Sequence, residues 1–281
     1  MTRPGINPSI WDARALDPSA VLLTDKVAIV TGAAQGIGEA TAVALARFGA
    51  HVAICDRDAP GLESTRAEID ALGRRTHTGV LDVRDEDAVF PFVAAVGAAF
   101  GKVDILVNNA GGGFWSPFLD VSAKGEHALI RENFGSVTLF IRHTVPLMTD
   151  GGSIINVTSV EGHRAGPGFA IYSAMKAAVT NLTFSLSMEL APRRVRINCI
   201  APDMIPTPGD VGLGDASGAI DFPGIENTPW PETGSVHDCA AAAVYLASDM
   251  SRFVTGTSIH VDGGTWAAHG WKAKTGGGFT L

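Results

Sequence analysis

Two ionisable side chains, Tyr172 and Lys176, stand four residues apart in a stretch with helical apolar spacing. Residues four apart share one face of a helix, so the lysine ammonium can approach the tyrosine phenol. A free tyrosine loses its proton near pH ~10, and a neighbouring cation favours the phenolate and lowers the tyrosine pKa. Such a tyrosine can exchange a proton with an alcohol or a ketone near neutral pH. The pair needs support from other motifs, since this spacing also arises by chance.

A glycine-rich turn supplies that support near the N-terminus, where residues 31–38 read Thr-Gly-Ala-Ala-Gln-Gly-Ile-Gly. Gly32 permits a tight turn, Gly36 lets the backbone approach a pyrophosphate, and Gly38 allows close packing of a helix. The start of that helix offers free N–H groups and a positive dipole end to phosphates. Because the turn follows an apolar run and opens a helical pattern, it predicts a dinucleotide-binding site.

Acidic residues follow the next two apolar runs. Asp56 can accept hydrogen bonds from both ribose hydroxyls of NAD, and its charge repels the 2′-phosphate of NADP. Arg57 either pairs with such a phosphate or lies on the surface without a ligand contact. Asp82 either contacts the adenine edge or caps a helix. Small residues at 108–111 (Asn-Asn-Ala-Gly) would let the backbone pass close to the adenosine ribose. Together they predict NAD as the cofactor.

Short β-branched runs that alternate with helical patterns must position these residues. This alternation predicts an α/β protein with one Rossmann-type, doubly wound parallel sheet of seven strands. The predicted strands are Val27–Thr31, His51–Cys55, His77–Leu81, Ile105–Asn108, Ser153–Thr158, Arg196–Ile200 and Ser258–Val261. Helical apolar spacing predicts helices in stretches that include Gly38–Phe48, Glu86–Phe100 and Tyr172–Leu190.

Three segments fall outside this alternation, and residues 25–264 form the predicted single domain. Residues 1–24 are predicted to form an irregular arm with Ile10 and Trp11 as anchors. Residues 203–236 are rich in proline and glycine, which predicts a lid over the substrate. Residues 265–281 form a tail that is either disordered or packed on a neighbouring subunit.

Composition argues against several classes of protein. The net charge of −8 speaks against a nucleic-acid partner. No apolar run approaches the ~20 residues that span a bilayer, and the first twenty residues contain no signal-peptide core, so we expect a cytoplasmic protein without a membrane partner. Cys55, Cys199 and Cys239 lie far apart. We expect buried reduced thiols and no metal site.

The motifs occur in the order found in classical short-chain dehydrogenases/reductases, and residues 25–264 resemble that family. The matching features are the glycine turn, Asp82, the Asn-Asn-Ala-Gly motif, Asn133, Ser159 and the Tyr172/Lys176 pair. The chain departs from the family at Pro202-Asp203, where Pro-Gly is usual, so the turn geometry there is open. The resemblance implies a sheet ordered 3-2-1-4-5-6-7 and a homotetramer.

The resemblance also implies roles for the site residues. Tyr172 would be the general acid/base, Ser159 would hydrogen-bond the substrate oxygen, and Lys176 would hold the nicotinamide ribose and lower the tyrosine pKa. Asn133 would position a water that leads from Lys176 to solvent. Taken singly, Ser159 could equally be a strand-end turn residue, and Asn133 could bond its own helix backbone. The implied cofactor contacts are Gly32, Gln35, Gly36, Ile37, Gly38, Asp56, Arg57, Asp82, Val83, Asn109, Ala110, Gly111, Tyr172, Lys176, Ile205 and Thr207.

The predicted function is NAD-dependent oxidation or reduction at a CH–OH group, between a small-molecule secondary alcohol and its ketone. Six residues in segments that the family uses around the pocket suggest an apolar or alicyclic, hydroxysteroid-like substrate. They are Phe114, Trp115, His163, Phe169, Met204 and Trp230. His163 and Arg164 either meet a polar substrate group or are exposed to solvent.

Two other functions remain as alternatives. One is a 3-oxoacyl thioester reductase acting on acyl-carrier-protein or CoA substrates. Asp56 and the acidic net charge argue against an NADP-linked form of that enzyme. The other is a nucleotide-sensing protein without turnover, which the intact Ser159, Tyr172 and Lys176 oppose.

Overall fold

A computed structural model describes residues 17–210, 226 and 228–281. Seven parallel strands form one sheet in the order β3-β2-β1-β4-β5-β6-β7. Their bounds are β1 Val27–Thr31, β2 His51–Asp56, β3 Thr76–Val80, β4 Ile105–Asn108, β5 Gly152–Val157, β6 Val195–Pro202 and β7 Ser258–Val261. The predicted α/β class and strand order are confirmed.

Strand β1 shows why these residues form the centre of a covered sheet. All five of its residues are buried, and successive side chains point to opposite faces. Val27 and Ile29 belong to one hydrophobic cluster, whereas Ala28 and Val30 belong to another. The sheet therefore has an apolar core on each face, as a parallel sheet between two helix layers requires.

Helices cover both faces of the sheet. Their bounds are α1 Gly36–Arg47, α2 Ala59–Ala71, α3 Glu86–Phe100, α4 Ala123–Ile130, α5 Ser136–Thr144, α6 Ala170–Glu189, α7 Val236–Ala247 and α8 Thr265–Ala268. Helices α1 and α7 pack on one face through residues such as Leu45 and Val244. Helices α3, α5 and α6 pack on the other through Val93, Phe140 and Val179.

The strand order reverses between β1 and β4. The chain adds β2 and β3 on one side of β1 and then crosses back to place β4 on the other. In open sheets of this kind, ligands bind outside the carboxyl ends of the strands at such a reversal. The ends of β1, β2, β4, β5 and β6 therefore border one crevice, and the predicted site residues follow these ends.

Several boundaries differ from the predicted ones. Helix α1 begins at Gly36 instead of Gly38, because the glycine turn itself supplies the first helical residues. Helix α6 begins at Ala170, so Tyr172 lies within its first turn. Strand β6 continues to Pro202, which lies opposite Val261 of β7.

The outer segments are described in part. Residues Pro18–Val21 of the arm form a 3₁₀ turn, while Ile10 and Trp11 lie outside the described residues, as do lid residues 211–225 and 227. The tail, for which disorder was one alternative, holds α8 and an antiparallel pair, β8 Lys272–Ala273 and β9 Phe279–Thr280. The Glu226 N–H donates to the Ala273 carbonyl at 3.0 Å, so the tail contacts the lid segment.

The three cysteines are buried and reduced, as predicted. Burial raises the pKa of the Cys55 thiol well above its ordinary value and that of Cys239 to about 12, so both stay protonated at neutral pH. Across the described residues, no helix combines the length and the hydropathy that crossing a bilayer requires.

Candidate active site

The glycine turn between β1 and α1 forms a cradle so tightly packed behind that side chains on Gly32 and Gly38 would clash with the protein. Gly32 and Gly36 have φ angles of +66° and +62°, in the left-handed region that favours glycine. A Cβ on Gly32 would lie 2.8 Å from Ala110 Cα, and one on Gly38 only 2.0 Å from the Gly32 carbonyl oxygen. Among the described residues no side chain caps α1, and the N-cap residue Gln35 is exposed. The cradle therefore offers backbone N–H groups to an anion.

Asn109 braces this cradle from the end of β4. Its Nδ2 donates to the carbonyl oxygens of Thr31 at 3.1 Å and Gly32 at 3.0 Å. Thr31 Oγ1 accepts the backbone N–H groups of Asn109 and Ala110, both at 3.0 Å. The side chain of Asn109 therefore shapes the turn, and its contact with a cofactor stays a prediction.

Asp56 ends β2 beside the cradle, where the sequence places it. Its Oδ2 accepts the Ala34 N–H and its Oδ1 the Asp58 N–H, both at 3.1 Å. The carboxylate is thus fixed against the glycine turn. Arg57 is exposed, and its charge helps to hold the pKa of Asp82 below the usual value. Both alternatives for Arg57 stay open.

Asp82 follows β3, and its carboxylate binds Arg84. The Arg84 guanidinium donates from Nε to Oδ1 at 2.9 Å and from Nη2 to Oδ2 at 2.6 Å, the main reason that the pKa of Asp82 is lowered. The alternative that Asp82 caps a helix is wrong, because Asp85 is the N-cap of α3. Val83 is buried next to it. An adenine contact for Asp82 stays a prediction.

Tyr172 and Lys176 share one face of α6, as their spacing predicts. Lys176 Nζ lies 5.4 Å from the centroid of the Tyr172 ring and donates a 2.9 Å hydrogen bond to the Val157 carbonyl at the end of β5. The lysine is only 5% exposed. Burial lowers the pKa of Lys176 to about 8, while the charge of Glu132 acts in the opposite direction.

The pKa of Tyr172 departs from the sequence-based expectation. Burial raises it well above its ordinary value, the Ser159 hydroxyl acts against this, and the carboxylates of Glu161, Asp210 and Asp203 add to the rise. The expectation of a lowered tyrosine pKa is therefore wrong for the protein chain alone. The reason is that burial removes the hydration of the phenolate, and three carboxylates add negative charge around it.

Ser159 lies two residues past the end of β5 and caps the short 3₁₀ turn Val160–Gly162. Its Oγ accepts the Glu161 N–H at 3.2 Å and lies 3.3 Å from Glu161 Oε2, to which it can donate. The turn role for Ser159 therefore holds, and its hydroxyl also acts on the Tyr172 phenol. Glu161 was missed from the predicted site. The available signal was an acidic residue two positions after the candidate serine.

Asn133 lies in a π-helical turn, Arg131–Gly135, between α4 and α5. Its Nδ2 donates to the carbonyl oxygens of Gly112 at 2.8 Å and Leu129 at 3.0 Å, and its Oδ1 accepts the Gly112 N–H at 3.2 Å. It therefore bonds its own helix and also clamps the glycine segment after β4. A Cβ on Gly111 would lie 2.8 Å from Asn133 Oδ1 and 3.1 Å from Lys176 Nζ, so these groups converge.

The Pro202-Asp203 departure is accommodated by the next residue. Met204 adopts a left-handed φ of +53°, which forms the turn that glycine would otherwise form. Asp203 Oδ2 accepts Arg164 Nη2 at 2.7 Å and Thr265 Oγ1 at 2.6 Å. The turn after β6 is therefore tied to both the β5–α6 loop and the start of α8.

Thr207 faces the glycine turn across the crevice. A Cβ on Gly36 would lie 3.4 Å from Thr207 Cβ. The Thr207 hydroxyl donates to Asp210 Oδ2 at 2.8 Å, and Ile205 is buried two residues earlier. Thr207 and the glycine turn therefore border the same space.

The six residues predicted around the substrate do not form one pocket. Phe114 and Phe169 line a pocket that reaches Tyr172, and the Phe169 ring meets the Tyr172 ring edge-on at 6.3 Å. Met204 and Trp230 line a second cavity beside Ile205.

The other two residues pack within the protein. The Trp115 indole lies against the Gly168 backbone, where an added Cβ would be 2.1 Å from its Nε1. His163 contacts the rings of His260 at 4.8 Å and Trp266 at 5.7 Å. His163 is therefore only partly exposed, whereas Arg164 is exposed, as expected, and pairs with Asp203.

Comparison with known proteins finds relatives over most of the chain. A family model described as enoyl-(acyl carrier protein) reductase matches residues 32–265. An uncharacterised oxidoreductase from Mycobacterium tuberculosis is 39% identical over 86% of this chain and 92% of its own length. Gluconate 5-dehydrogenase from Gluconobacter oxydans is 37% identical over 88% and 97%, respectively. A 3-oxoacyl-[acyl-carrier-protein] reductase from Thermotoga maritima is 35% identical over 86% and 98%.

Solved structures give the same picture. Carveol dehydrogenase from Mycobacterium avium in complex with NAD has a TM-score of 0.81 and 29% identity, and covers 87% of this chain and 99% of its own. Levodione reductase has a TM-score of 0.81 and 31% identity, and covers 88% and 99%.

Proposed function

Because the chain belongs to the short-chain dehydrogenase/reductase family of oxidoreductases, we propose that it is an NAD(H)-dependent enzyme that interconverts a secondary alcohol and a ketone. One observation carries the proposal. Tyr172, Ser159 and the buried Lys176 converge at the crevice that also holds the glycine cradle. A nicotinamide dinucleotide would suit this crevice, since Gly32 and Gly38 allow the tight turn that presents the N-terminus of α1 to a pyrophosphate.

We assign the cofactor contacts by position. The pyrophosphate would lie on the turn and the N-terminus of α1, the adenosine ribose against Asp56, and the nicotinamide ribose against Tyr172 and Lys176. The residues that would line the cofactor are Gly32, Gln35, Gly36, Ile37, Gly38, Asp56, Arg57, Asp82, Val83, Asn109, Ala110, Gly111, Ile205 and Thr207. Bound NAD⁺ supplies the hydride acceptor in the oxidation.

Proton transfer is the task of the protein in this scheme. In the oxidation, Tyr172 accepts the proton of the substrate hydroxyl, and in the reduction its phenol returns that proton to the carbonyl oxygen. Ser159 donates a hydrogen bond to the same substrate oxygen. Lys176 stabilises the phenolate through its charge. Its pKa of about 8 lets the lysine exchange protons near neutral pH.

We assign Asn133 a supporting role in this proton path. Its side chain already bonds Gly112 and Leu129. We propose that the backbone of the π turn holds a water beside Lys176. The relay through such a water remains our proposal.

The choice of NAD over NADP rests on Asp56. Arg84 already neutralises the nearby Asp82, whereas Asp56 is bound only by backbone N–H groups among the described residues. Its uncompensated charge would repel a 2′-phosphate. The related carveol dehydrogenase was solved with NAD, which supports this choice.

The substrate that we propose is an apolar, alicyclic alcohol or ketone. Phe114, Phe169 and Val121 line the pocket beside Tyr172, which favours an apolar substrate group over a charged one. Two solved relatives are named for ring compounds, carveol and levodione, and support this class.

The second candidate is a 3-oxoacyl thioester reductase. It is favoured by the description of the family model and by the Thermotoga maritima relative. Asp56 and the net charge of −8 oppose it, because an NADP-linked acyl-carrier-protein reductase would prefer a basic cofactor pocket and a basic docking surface. A non-catalytic sensor remains the third and weakest alternative.

A substrate panel tests the proposal. Purified protein with NAD⁺ and a series of cyclic secondary alcohols should form NADH. Faster reduction of a 3-oxoacyl thioester with NADPH would favour the second candidate. Cofactor binding without turnover of any substrate would favour the sensor.

We also propose that the enzyme is a homotetramer in the cytoplasm. The outer surface of α6 exposes Phe184 at 45% and Met188 at 77%, which gives this long helix an apolar surface for a second subunit. Sedimentation at several protein concentrations would give the oligomeric state.

A further inference from the structure

Glu161 is a carboxylate beside the reacting groups that the proposed proton transfer does not use. In the described part of the chain, its carboxylate makes one side-chain hydrogen bond, from Ser159 Oγ to Oε2 at 3.3 Å. The positive charge of Arg164 lowers the pKa of Glu161, but the Arg164 guanidinium forms its ion pair with Asp203, at 2.7 Å. Glu161 thus keeps acceptor positions free close to the candidate catalytic serine.

Leaving a carboxylate so poorly bonded is costly in this position. Burial is the main cause that raises the pKa of Glu161, and the neighbouring charge of Asp203 raises it further. A carboxylate removed from water needs donors to replace its lost hydration. The 3.3 Å bond from Ser159 meets little of that need, so the carboxylate can accept a further hydrogen bond from a bound substrate.

We propose that Glu161 is a specificity residue that accepts a hydrogen bond from a second hydroxyl of the substrate, on the carbon next to the one that is oxidised. The inference rests on the proposed function, in which Ser159 contacts the reacting oxygen. Oxygens on adjacent carbons are separated by about the length of a hydrogen bond. An oxygen next to the one held by Ser159 can therefore reach Glu161, whose Oε2 lies 3.3 Å from Ser159 Oγ.

The apolar pocket that reaches Tyr172 fits the same substrate class. Phe114 and Phe169 provide an apolar side against Tyr172, whereas Glu161 provides an acceptor on the side of Ser159. A ring with two adjacent oxygens presents one apolar face and one polar edge. The substrate class is therefore a vicinal cyclic diol, with the corresponding hydroxyketone as product.

Matched substrates test this inference. We expect the wild-type enzyme with NAD⁺ to show a kcat/KM for cyclohexane-1,2-diol, tested as cis and trans isomers, about 10- to 100-fold above that for cyclohexanol, the range expected for one hydrogen bond to a charged group. Glu161→Leu should bring this ratio close to one. Glu161→Gln should keep part of the preference, because its amide oxygen still accepts. Binding of NAD⁺ to each variant shows that the variant is folded.

The contradicting outcomes are distinct. If kcat/KM fell equally for both alcohols in the two variants, Glu161 would only orient Ser159, and the inference would be overturned. Equal kcat/KM for both alcohols in the wild-type enzyme would overturn it and leave the proposed function intact. Oxidation of neither alcohol would contradict the inference and the proposed function together.

Discussion

Burial and the neighbouring negative charges act in the same direction on the phenol of Tyr172, and only the Ser159 hydroxyl acts against them. Burial raises its pKa, and Glu161, Asp210 and Asp203 surround it with further negative charge. The phenol is therefore held in its protonated form unless a cation compensates. Lys176 is placed to be that cation, and its own burial makes its charge costly to keep. Holding a buried ammonium next to the tyrosine therefore lowers the free energy of unfolding.

This cost can be measured with Lys176→Met. Burial depresses the folded-state pKa of Lys176 from 10.5 to about 8, so between these pH values the folded protein binds fewer protons than the unfolded chain. The wild-type free energy of unfolding therefore rises with pH across this window, and below pH 8 the ammonium destabilises the fold. The variant should be more stable at pH 7 by up to about 3 kcal/mol, less the lost bond to Val157.

Urea denaturation of both proteins at pH 7 and pH 10 provides the measurement. The difference between their free energies of unfolding should shrink at the higher pH, where the wild-type lysine is neutral in the folded state. A difference that stays constant with pH would contradict a charge-based cost.

We propose that a single residue, Asp56, also determines the choice of cofactor. Asp56→Ala should raise the ratio of kcat/KM with NADP to kcat/KM with NAD by roughly 10- to 100-fold, because a repulsion of about 1 to 3 kcal/mol disappears. Arg57 would then be free to pair with the 2′-phosphate. Asp58→Ala is the matched control. It removes the same charge from an exposed side chain that lies two residues after Asp56. Equal changes of the ratio in both variants, or equal use of both cofactors by the wild-type enzyme, would contradict this role of Asp56.

Among the elements, we propose that the segment after β6 moves when substrate binds. Asp203 fixes its start through Arg164 and Thr265, and Thr207 is held by Asp210 over the glycine turn. Met204 and Trp230 from its two described ends line one cavity beside Ile205. We therefore propose that residues 203–236 form a lid, which would exclude water from the reacting groups.

Hydrogen exchange tests the lid. Backbone amides of residues 203–236 should exchange quickly in the free protein and gain protection in a complex with NADH and a substrate analogue. Strand β1 serves as the internal control, because its buried amides should be protected in both states. High protection of the lid segment without ligand, unchanged by the complex, would instead describe a rigid surface loop.

At the scale of the whole molecule, local patterns determine what the sequence can predict. Buried β-branched runs such as Val27–Thr31 gave the strands, and the motif order gave the sheet topology. Contacts between distant segments were not predictable in this way. His163 packs against His260, almost a hundred positions away, and the π turn at Asn133 depends on Gly112 beyond its own helix. Such pairings arise from tertiary packing, which no local spacing encodes.

The same limit explains the two main errors at the site. The four-residue spacing predicted that Lys176 lies next to Tyr172, but it carried no information on burial. Burial raises the tyrosine pKa, whereas the spacing predicted a lowered one. Of the two alternatives for Asp82, the helix cap is wrong, because Asp85 caps the helix and Arg84 binds the Asp82 carboxylate. Glu161 was missed because its position matters only once Ser159 and the turn after β5 are folded together.

The most direct test of the central claim is the turnover of Tyr172→Phe. The phenyl ring preserves the packing against Phe169, but no proton donor or acceptor remains at that position. We expect kcat for NAD-linked oxidation of a cyclic secondary alcohol to fall by ~10²–10⁴-fold, as for loss of a general acid/base, while the dissociation constant of NADH stays within a few-fold of the wild-type value. A variant with unimpaired kcat would contradict the assignment of Tyr172 and with it the proposed chemistry.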